Sequence, residues 1–203
     1  MTAFDALSAE KLRAELGSTI IGREILVLPE TTSSNDFIFE RTSDSTPEGL
    51  VVFAERQTAA RGQRSNSWEA ATGQGLWFSF LLRPKIDVRD SPRLAEWAGR
   101  TIAETISKTF SVPATVKLPN DVIVAGKKVA GVLVEMRAQK NAPHIAIVGI
   151  GVNVNHQAED FSEELRSRAI SLAIALDRQI DRLQFAVALL RNFDQSYRRI
   201  FLA

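Results

Sequence analysis

Short apolar runs separated by polar segments and turn residues recur along the chain. Two of them, Leu50-Val-Val-Phe-Ala54 and Leu76-Trp-Phe-Ser-Phe-Leu-Leu82, are rich in branched and aromatic residues and too short for typical helices, which favours buried strands. Val122-Ile-Val-Ala-Gly126 followed by Val129-Ala-Gly-Val-Leu-Val-Glu135 predicts a hairpin with its turn at Ala125-Gly126. The predicted strands therefore cover 24–28, 50–54, 76–82, 122–124, 129–135 and 145–155.

Apolar residues spaced three and four apart predict helices, and capping residues mark where these begin. A long helix is predicted from Ser91-Pro92, with Ser91 as its N-cap and Pro92 at its first position. Its apolar stripe consists of Leu94, Trp97, Ala98, Ile102 and Ile106. Other helices are predicted from the N-cap Ser8 to residue 16, over 35–40, over 159–168, and along the final segment marked by Leu183, Val187, Leu190, Tyr197 and Phe201. Residues 171–176 fit either a strand or the start of a helix.

The strand over 145–155 has an unusual distribution of side chains. Because alternate residues of a strand point to the same side, Gly149, Gly151, Asn153 and Asn155 share one face. Bare glycines allow a ligand or another backbone to approach closely, although tight packing under a helix would explain them equally well. The opposite face is predicted to be buried and consists of Ala146, Val148, Ile150, Val152 and Val154.

Charged and amide side chains concentrate on the predicted hairpin, namely Lys117, Asn120, Asp121, Lys127 and Lys128. A carboxylate, an amide and several ammonium groups on a stiff element can position a nucleotide and its metal ion. An exposed polar hairpin without any ligand is the plainer interpretation, since charged hairpin ends are common.

Composition excludes several classes of function. The formal net charge is +1, from 25 Lys and Arg against 24 Asp and Glu, so there is no general electrostatic basis for binding DNA or a membrane. Cysteine is absent, which excludes disulfides, thiolate metal sites and a cysteine nucleophile. The two histidines, His144 and His156, are too few for a His-rich metal site.

Length and hydropathy give the remaining general expectations. The chain has 203 residues, enough for one domain with a hydrophobic core, and we predict a single domain over 1–203. No apolar run reaches the roughly 18 residues of a membrane-spanning helix. The first residues lack the pattern of a secretion signal, so a cytoplasmic location is expected.

Three segments, taken in order, resemble the motifs of biotin–protein ligases. Lys117-Leu-Pro-Asn-Asp121 and the strand from Lys128 to Glu135 are similar to that family's Lys-Trp-Pro-Asn-Asp and Gly-Lys-Lys…Gly-Ile-Leu-x-Glu. The loop from Gln57 through Arg61-Gly62 to Trp68 resembles its Gln-x-x-Gly-Arg-Gly-Arg-Arg-Gly-Arg-x-Trp loop. Gly149-Ile-Gly-Val-Asn153 resembles its Gly-Ile-Gly-Ile-Asn strand. One motif alone would be weak, but three in this order are specific.

The resemblance implies a fold and an activity. The fold is α+β, with a mostly antiparallel sheet flanked by helices, as in class II aminoacyl-tRNA synthetases. The activity is ATP-dependent attachment of biotin to a lysine of a carrier protein, the biotin carboxyl carrier domain of acetyl-CoA carboxylase, through biotinyl-5'-adenylate. ATP, Mg²⁺ and biotin are the implied cofactor, metal and substrate. The sequence leaves the oligomeric state open, with a homodimer as one form.

The resemblance also assigns roles to residues. Lys128, Arg61 and Asp121 are the implied catalytic residues, and Asn120 and Asp121 would orient either Mg²⁺ or the incoming amine. Serines and threonines before a helix are first of all N-caps, but the resemblance implies that Ser33, Ser34 and Asn35 bind the biotin ring at a free helix N-terminus. It also implies that Gln57 touches biotin, Arg61 and Arg64 grip phosphates, and Trp68 lies near adenine. The full expected binding set is Ser33, Ser34, Asn35, Gln57, Arg61, Gly62, Gln63, Arg64, Trp68, Lys117, Asn120, Lys128, Gly131, Gly151 and Asn153.

Departures from the family pattern limit which of the family's properties can be expected of this chain. Gln63, Ser65 and Asn66 stand where the family's loop has arginine and glycine, and Leu118 replaces its tryptophan. A less cationic loop predicts that biotinyl-adenylate is held loosely. Two alternatives therefore stay open: a lipoate or octanoate ligase or transferase of the same superfold, and a non-catalytic binder of biotin or adenylate. About twenty residues precede the first strand, too few for the DNA-binding domain of some biotin ligases, and no C-terminal β-barrel is expected.

Overall fold

The computed structural model describes residues 6–62, 72–140 and 143–202. The helices are α1 (Ala9–Leu16), α2 (Ser34–Arg41), α3 (Ser91–Phe110), α4 (Glu163–Arg166), α5 (Leu172–Leu176) and α6 (Arg182–Phe201). The strands are β1 (Glu24–Leu28), β2 (Leu50–Ala54), β3 (Gly75–Leu82), β4 (Ala114–Lys117), β5 (Asp121–Val124), β6 (Lys127–Arg137) and β7 (Ile145–Asn153).

All of these strands join one seven-stranded sheet in the order β1-β2-β3-β7-β6-β5-β4. β1 and β2 pair in parallel, and every other neighbouring pair is antiparallel. The expected α+β fold with a mostly antiparallel sheet is therefore confirmed. The sheet brings β6 and β7 together at its centre, so the residues of two separate motifs become neighbours.

Each face of the sheet is covered by different helices. α3 packs against β4, β5 and β6, and α6 packs on α3, over a large apolar core that includes the predicted faces of β7 and α3. α2 covers the opposite face at β3 and β7, where a smaller core includes Ile38, Val52 and Ile147. Beyond this smaller core, the α2 face of β6 and β7 becomes polar and rich in glycine, and that is where the cleft lies.

Turn and capping residues explain most element boundaries. The β5–β6 turn has positive φ at Ala125 (49°) and Gly126 (77°), the two-residue hairpin turn that the sequence predicted. Ser8 caps α1 through its side chain, as expected. The N-cap of α3 was predicted wrongly. Asp90 occupies that position and Ser91 is the first helical residue, because a 3₁₀ turn over Val88–Asp90 leads directly into the helix.

Three further predictions need correction. The predicted helix over 159–168 is a 3₁₀ turn (Ala158–Asp160) followed by the single-turn α4. β7 ends at Asn153 instead of residue 155, since Asn155 turns away to bond residue 180 through its side chain. β4 was not expected at all, so the hairpin is in fact part of a three-stranded meander.

Within the described residues, no helix combines the length and apolarity that crossing a membrane would require.

His156 is a buried ring next to the C-terminal end of β7. It is stacked on Phe161 and meets Trp77 edge-on, at centroid distances of 5.2 and 5.6 Å. Neither of its ring nitrogens has a hydrogen-bond partner among the described residues. Burial lowers the pKa of His156 to about 4, against a smaller opposing effect of Asp160. The neutral ring is thus the form that the fold accommodates.

This burial predicts a loss of stability in mild acid. The His156 ring takes up a proton near pH 6.5 in the unfolded chain but only near pH 4 in the folded chain. The contribution of the buried neutral ring to stability is therefore complete above pH 6.5 and declines as the pH falls towards 4. Between pH 7 and 4.5 the free energy of unfolding should fall by about 2 kcal/mol more in the wild type than in His156→Phe, which keeps a ring but cannot titrate. Urea unfolding of both proteins at the two pH values measures this. Equal losses would show that His156 does not titrate this way.

Candidate functional site

A cleft on the α2 face of the sheet collects most of the residues that the sequence singled out. Its empty volume is about 500 Å³, a figure that includes space open to solvent. Its lining residues are Ser33, Ser34, Asn35, Gln57, Ala60, Arg61, Gly62, Asn120, Lys128, Gly131, Val132, Leu133, Gly149, Ile150 and Gly151.

The floor of the cleft is built from glycines on adjacent strands. Gly131 of β6 lies opposite Gly151 of β7, and Gly149 of β7 lies opposite Leu133. Gly149 is bare for a specific reason. A Cβ at that position would lie 3.0 Å from Asn35 Cγ and closer still to Asn35 Oδ1, so the Asn35 amide needs the absence of a side chain. The expected close approach therefore occurs at Gly149, where the approaching group is part of the protein.

The first turn of α2 forms one end of the cleft. Ser33 is the N-cap, and Ser34 and Asn35 begin the helix, all three buried. Gln57 Oε1 accepts a hydrogen bond from Ser34 N at 2.7 Å and lies 3.1 Å from Ser34 Oγ. Ser33 Oγ accepts from Asp36 N at 3.5 Å. The N-cap interpretation is therefore confirmed at Ser33, and the expectation of a free helix N-terminus was wrong, because these side chains already satisfy two of its N–H groups.

A chain of hydrogen bonds, which we call the polar chain, runs beneath this end through Ser34, Ser79, Asn35 and Glu135. Ser34 Oγ and Ser79 Oγ are 2.6 Å apart, and Ser79 Oγ donates to Asn35 Oδ1 at 2.5 Å. Asn35 Nδ2 in turn donates to Glu135 Oε2 at 2.6 Å. The rotamer and amide orientation of Asn35 are therefore set from two sides.

Arg61 lies at the end of the polar chain, with its guanidinium between two carboxylates. Its Nη1 and Nη2 donate to the two oxygens of Asp36 at 2.5 and 2.7 Å, and Nη2 also reaches both oxygens of Glu135 at 3.2 and 3.3 Å. The hydrogen bond to Asp36, together with the negative charges of Glu135 and Asp36, raises the pKa of Arg61 above its usual value. The side chain remains 40% exposed, so this cation is accessible from the cleft.

Lys128 supplies a second cation to the cleft. Its Nζ is 2.6 Å from Asp121 Oδ1, and its side chain is one third exposed. Its backbone is held from outside the hairpin, since Lys128 N donates to the carbonyl of Arg168 and Lys128 O accepts from Ile170 N. A β-bulge between Val122 and Ile123 shifts the register just opposite Lys128. This lysine therefore sits on a backbone fixed by two separate segments.

The other predicted residues have different positions. Asn120 lines the cleft, and its Nδ2 donates to the carbonyl of Val132 at 2.9 Å. Lys117 is exposed at the end of β4, opposite Asp121, and neither of these two lines the cleft. Asn153 is buried and donates to the carbonyl of Ile170 at 3.2 Å, which ties β7 to the segment that holds Lys128. Gln63, Arg64 and Trp68 lie outside the described residues.

The described residues contain no group of three His, Cys, Asp or Glu side chains that could hold a metal ion. The Asp121 carboxylate is engaged by Lys128. The arrangement instead offers hydrogen-bond donors and acceptors at one end of the cleft and two cations, Arg61 and Lys128, along it. Such a cleft suits a ligand with an uncharged polar head and an anionic tail.

Two residues of the polar chain, Ser79 and Glu135, were not assigned a role from the sequence. Glu135 was noticed within a motif, and a period of two along β6 places it on the face of Gly131, so this signal was available. Ser79 had no such signal, because it lies inside the apolar run of β3.

Comparison with known proteins agrees with the motifs. The sequence profile of the biotin/lipoate A/B protein ligase family matches residues 27–153, more than half of the chain. The bifunctional ligase/repressor BirA of Bacillus subtilis is 34% identical over 192 residues, which are 95% of this chain and 59% of that protein. A biotin–[acetyl-CoA-carboxylase] ligase of Mycobacterium tuberculosis is 30% identical over 204 residues, covering 96% and 73% of the two chains. The chain thus spans about 59% of the length of the Bacillus relatives.

Solved structures show the same similarity in three dimensions. The biotin protein ligase from Aquifex aeolicus in complex with biotin and ATP superposes with a TM-score of 0.75 at 29% identity. The match covers 89% of this chain and 72% of the Aquifex chain.

Proposed function

The chain belongs to the biotin/lipoate A/B protein ligase family, and on this premise we propose that it is a biotin–protein ligase that uses ATP. The proposed reaction joins the biotin carboxylate to the α-phosphate of ATP, releasing pyrophosphate, and then transfers the biotinyl group from the adenylate to a lysine amine. The observation that carries this proposal is a cleft in which an uncharged polar end and two cations are combined on a floor of glycines. The Aquifex protein that the fold resembles is a biotin protein ligase solved in complex with biotin and ATP.

The polar end suits the ureido head of biotin. That head has one carbonyl acceptor and two N–H donors, and it carries no charge. Ser34, Asn35 and Gln57 offer hydroxyl and amide groups of both kinds, and the glycine floor leaves room for a flat ring system. Burying such a head is favourable only when its hydrogen bonds are replaced, and these side chains can replace them.

The cationic part suits the carboxylate and the phosphates. Both reactants of the first step are anions that repel each other, and Lys128 and Arg61 can neutralise them as they meet. Arginine also grips phosphate oxygens with two parallel hydrogen bonds, which it now makes to Asp36. No enzyme nucleophile is needed in this scheme, because the acceptor lysine attacks the adenylate directly.

Mg²⁺ would enter the site with ATP. Magnesium is usually held by substrate phosphates, water and one or two carboxylates, so a dedicated protein cage is not required. Asp121 is the carboxylate that we assign to this role, once the phosphates attract Lys128 away from it. The acceptor is proposed to be the biotin carboxyl carrier domain of a carboxylase. This agrees with the name of the Mycobacterium relative, a biotin–[acetyl-CoA-carboxylase] ligase.

Pyrophosphate release tests the proposal directly. The protein is incubated with ATP and Mg²⁺ and with biotin, lipoate or octanoate added singly, and pyrophosphate is measured. Release with biotin alone is expected. Release with lipoate or octanoate would identify a different acyl substrate, and biotin binding without release would identify a non-catalytic binder.

Transfer to a protein needs a second measurement. Mass spectrometry of a biotin carboxyl carrier domain, incubated with the protein, ATP, Mg²⁺ and biotin, should show the mass of one biotinyl group on its lysine. Pyrophosphate release without this mass change would limit the activity to adenylate formation with the acceptor used.

A further inference from the structure

The polar chain has a direction that follows from counting its hydrogens. Ser79 has one hydroxyl hydrogen, and it is committed to Asn35 Oδ1, which can only accept. Ser34 must therefore be the donor in its 2.6 Å contact with Ser79, so its single hydroxyl hydrogen is not shared with Gln57 Oε1, which accepts from Ser34 N instead. Asn35 then donates to Glu135. Every hydrogen bond from Ser34 onwards points towards the Glu135 carboxylate, where the chain ends.

A carboxylate at the end of such a chain determines the orientation of the groups before it. It can only accept, so it fixes Asn35 with Nδ2 towards Glu135 and Oδ1 towards Ser79. The second hydrogen of Nδ2 remains for a ligand oxygen, and the Ser34 hydroxyl, having donated to Ser79, can accept from a ligand N–H. Aligned hydrogen bonds also polarise one another, which strengthens the donors and acceptors offered to the ligand.

Glu135 also contacts the cation that would bind phosphate. Its two oxygens lie 3.2 and 3.3 Å from Arg61 Nη2, while Asp36 holds the same guanidinium on its other side. These two carboxylates occupy hydrogen-bonding positions on Arg61 that a phosphate would need. Together the three side chains carry a net charge of −1, which opposes the approach of an anion.

We propose that Glu135 is a positioning residue with two linked roles in the cleft. It orients the Asn35 amide towards the uncharged head of biotin, and it keeps Arg61 in ion pairs until phosphate displaces them. This inference rests on the proposed function, and it adds that one carboxylate favours the biotin head while it disfavours the phosphate.

The test is Glu135→Gln, which keeps the shape and removes the charge. Calorimetric titration with biotin alone should show an affinity about tenfold lower, because a charge-assisted hydrogen bond is roughly twice as strong as a neutral one. Titration with pyrophosphate alone should show a severalfold higher affinity, since a competing charge has been removed. Damage to the fold would weaken the binding of both ligands, so opposite changes in the two affinities identify the positioning role.

Two further variants sharpen the result. Asp36→Asn removes the other carboxylate from Arg61 without touching Asn35, so it should raise pyrophosphate affinity and leave biotin affinity within about twofold. In an Asn35→Ala background the effect of Glu135→Gln on biotin should disappear, because that effect passes through the amide.

The outcomes are distinguishable from one another. Unchanged biotin affinity in Glu135→Gln, or an equal loss for biotin and pyrophosphate, would overturn the positioning role while the proposed function stands. A wild-type protein that does not bind biotin would overturn the proposed function, and the inference with it.

Discussion

Lys128→Ala is expected to lower biotin-dependent pyrophosphate release by about ten- to several hundred-fold while the protein stays folded. A hydrogen bond to a charged group contributes roughly 1.5–3 kcal/mol, and a contact that strengthens as negative charge gathers in the transition state contributes more. The fold should survive because the backbone of Lys128, which bonds Arg168 and Ile170, does not depend on its side chain. Asp121 loses an ion-pair partner, but it is exposed enough for water to solvate it.

The adjacent lysine provides a matched control. Lys127 has the same side chain on the same strand, but its Nζ bonds the carbonyl of Arg166 outside the cleft. Lys127→Ala should therefore change pyrophosphate release by less than about twofold. Initial rates are measured at saturating biotin and ATP, with thermal melting to check folding. Equal rates for Lys128→Ala and the wild type would show that the Lys128 side chain takes no part in the reaction.

Gly149→Ala is expected to abolish tight biotin binding and to destabilise the protein. The new methyl group would overlap the Asn35 amide, so that side chain must leave its bonds to Ser79 and Glu135. Overpacking costs about 1–3 kcal/mol, and each buried polar group left without a partner costs a similar amount. We expect the free energy of unfolding to fall by about 2–4 kcal/mol and biotin affinity to fall by at least about 100-fold.

Gly99→Ala is the control for this change. Gly99 lies inside α3, and a Cβ there would be 3.4 Å from Val116 Cγ1, an ordinary contact. Alanine is the better helix former by about 0.5–1 kcal/mol, so this variant should be as stable as the wild type or slightly more stable, with unchanged biotin affinity. Chemical unfolding and calorimetry measure both quantities. A Gly149→Ala protein that keeps normal biotin affinity would show that Asn35 can move without consequence.

Periodicity was enough to predict the parts of the fold that depend on local sequence. The alternation along 145–155 predicted which face of β7 is buried, and the spacing from Leu94 to Ile106 predicted the buried stripe of α3. The hairpin turn followed from Ala125 and Gly126. In each case a single segment carries the signal, because neighbours in sequence decide which residues share a face.

The cleft itself depends on contacts between distant segments, and fewer of these contacts could be predicted from the sequence. The motifs identified Ser34, Asn35 and Gln57 as ligand groups, but they did not show that Gln57 bonds the start of α2 or that Ser79 and Glu135 orient Asn35. These contacts join residues 23 to 100 positions apart. Only the assembled sheet and α2 bring them within hydrogen-bond distance.

The bridge between Lys128 and the segment before α5 bears on how the protein could be divided. In the described part of the chain, every residue that lines the cleft precedes position 152, and the family profile ends at 153. Yet Arg168 and Ile170 hold the backbone of Lys128, and Asn153 holds Ile170. A fragment that ends at the family boundary would keep every described lining residue but lose the backbone hydrogen bonds that Arg168 and Ile170 make to Lys128. Conversely, a cut made between Asn155 and Ser162 would yield two fragments joined by these hydrogen bonds. The proposed activity could then be made to depend on their reassembly.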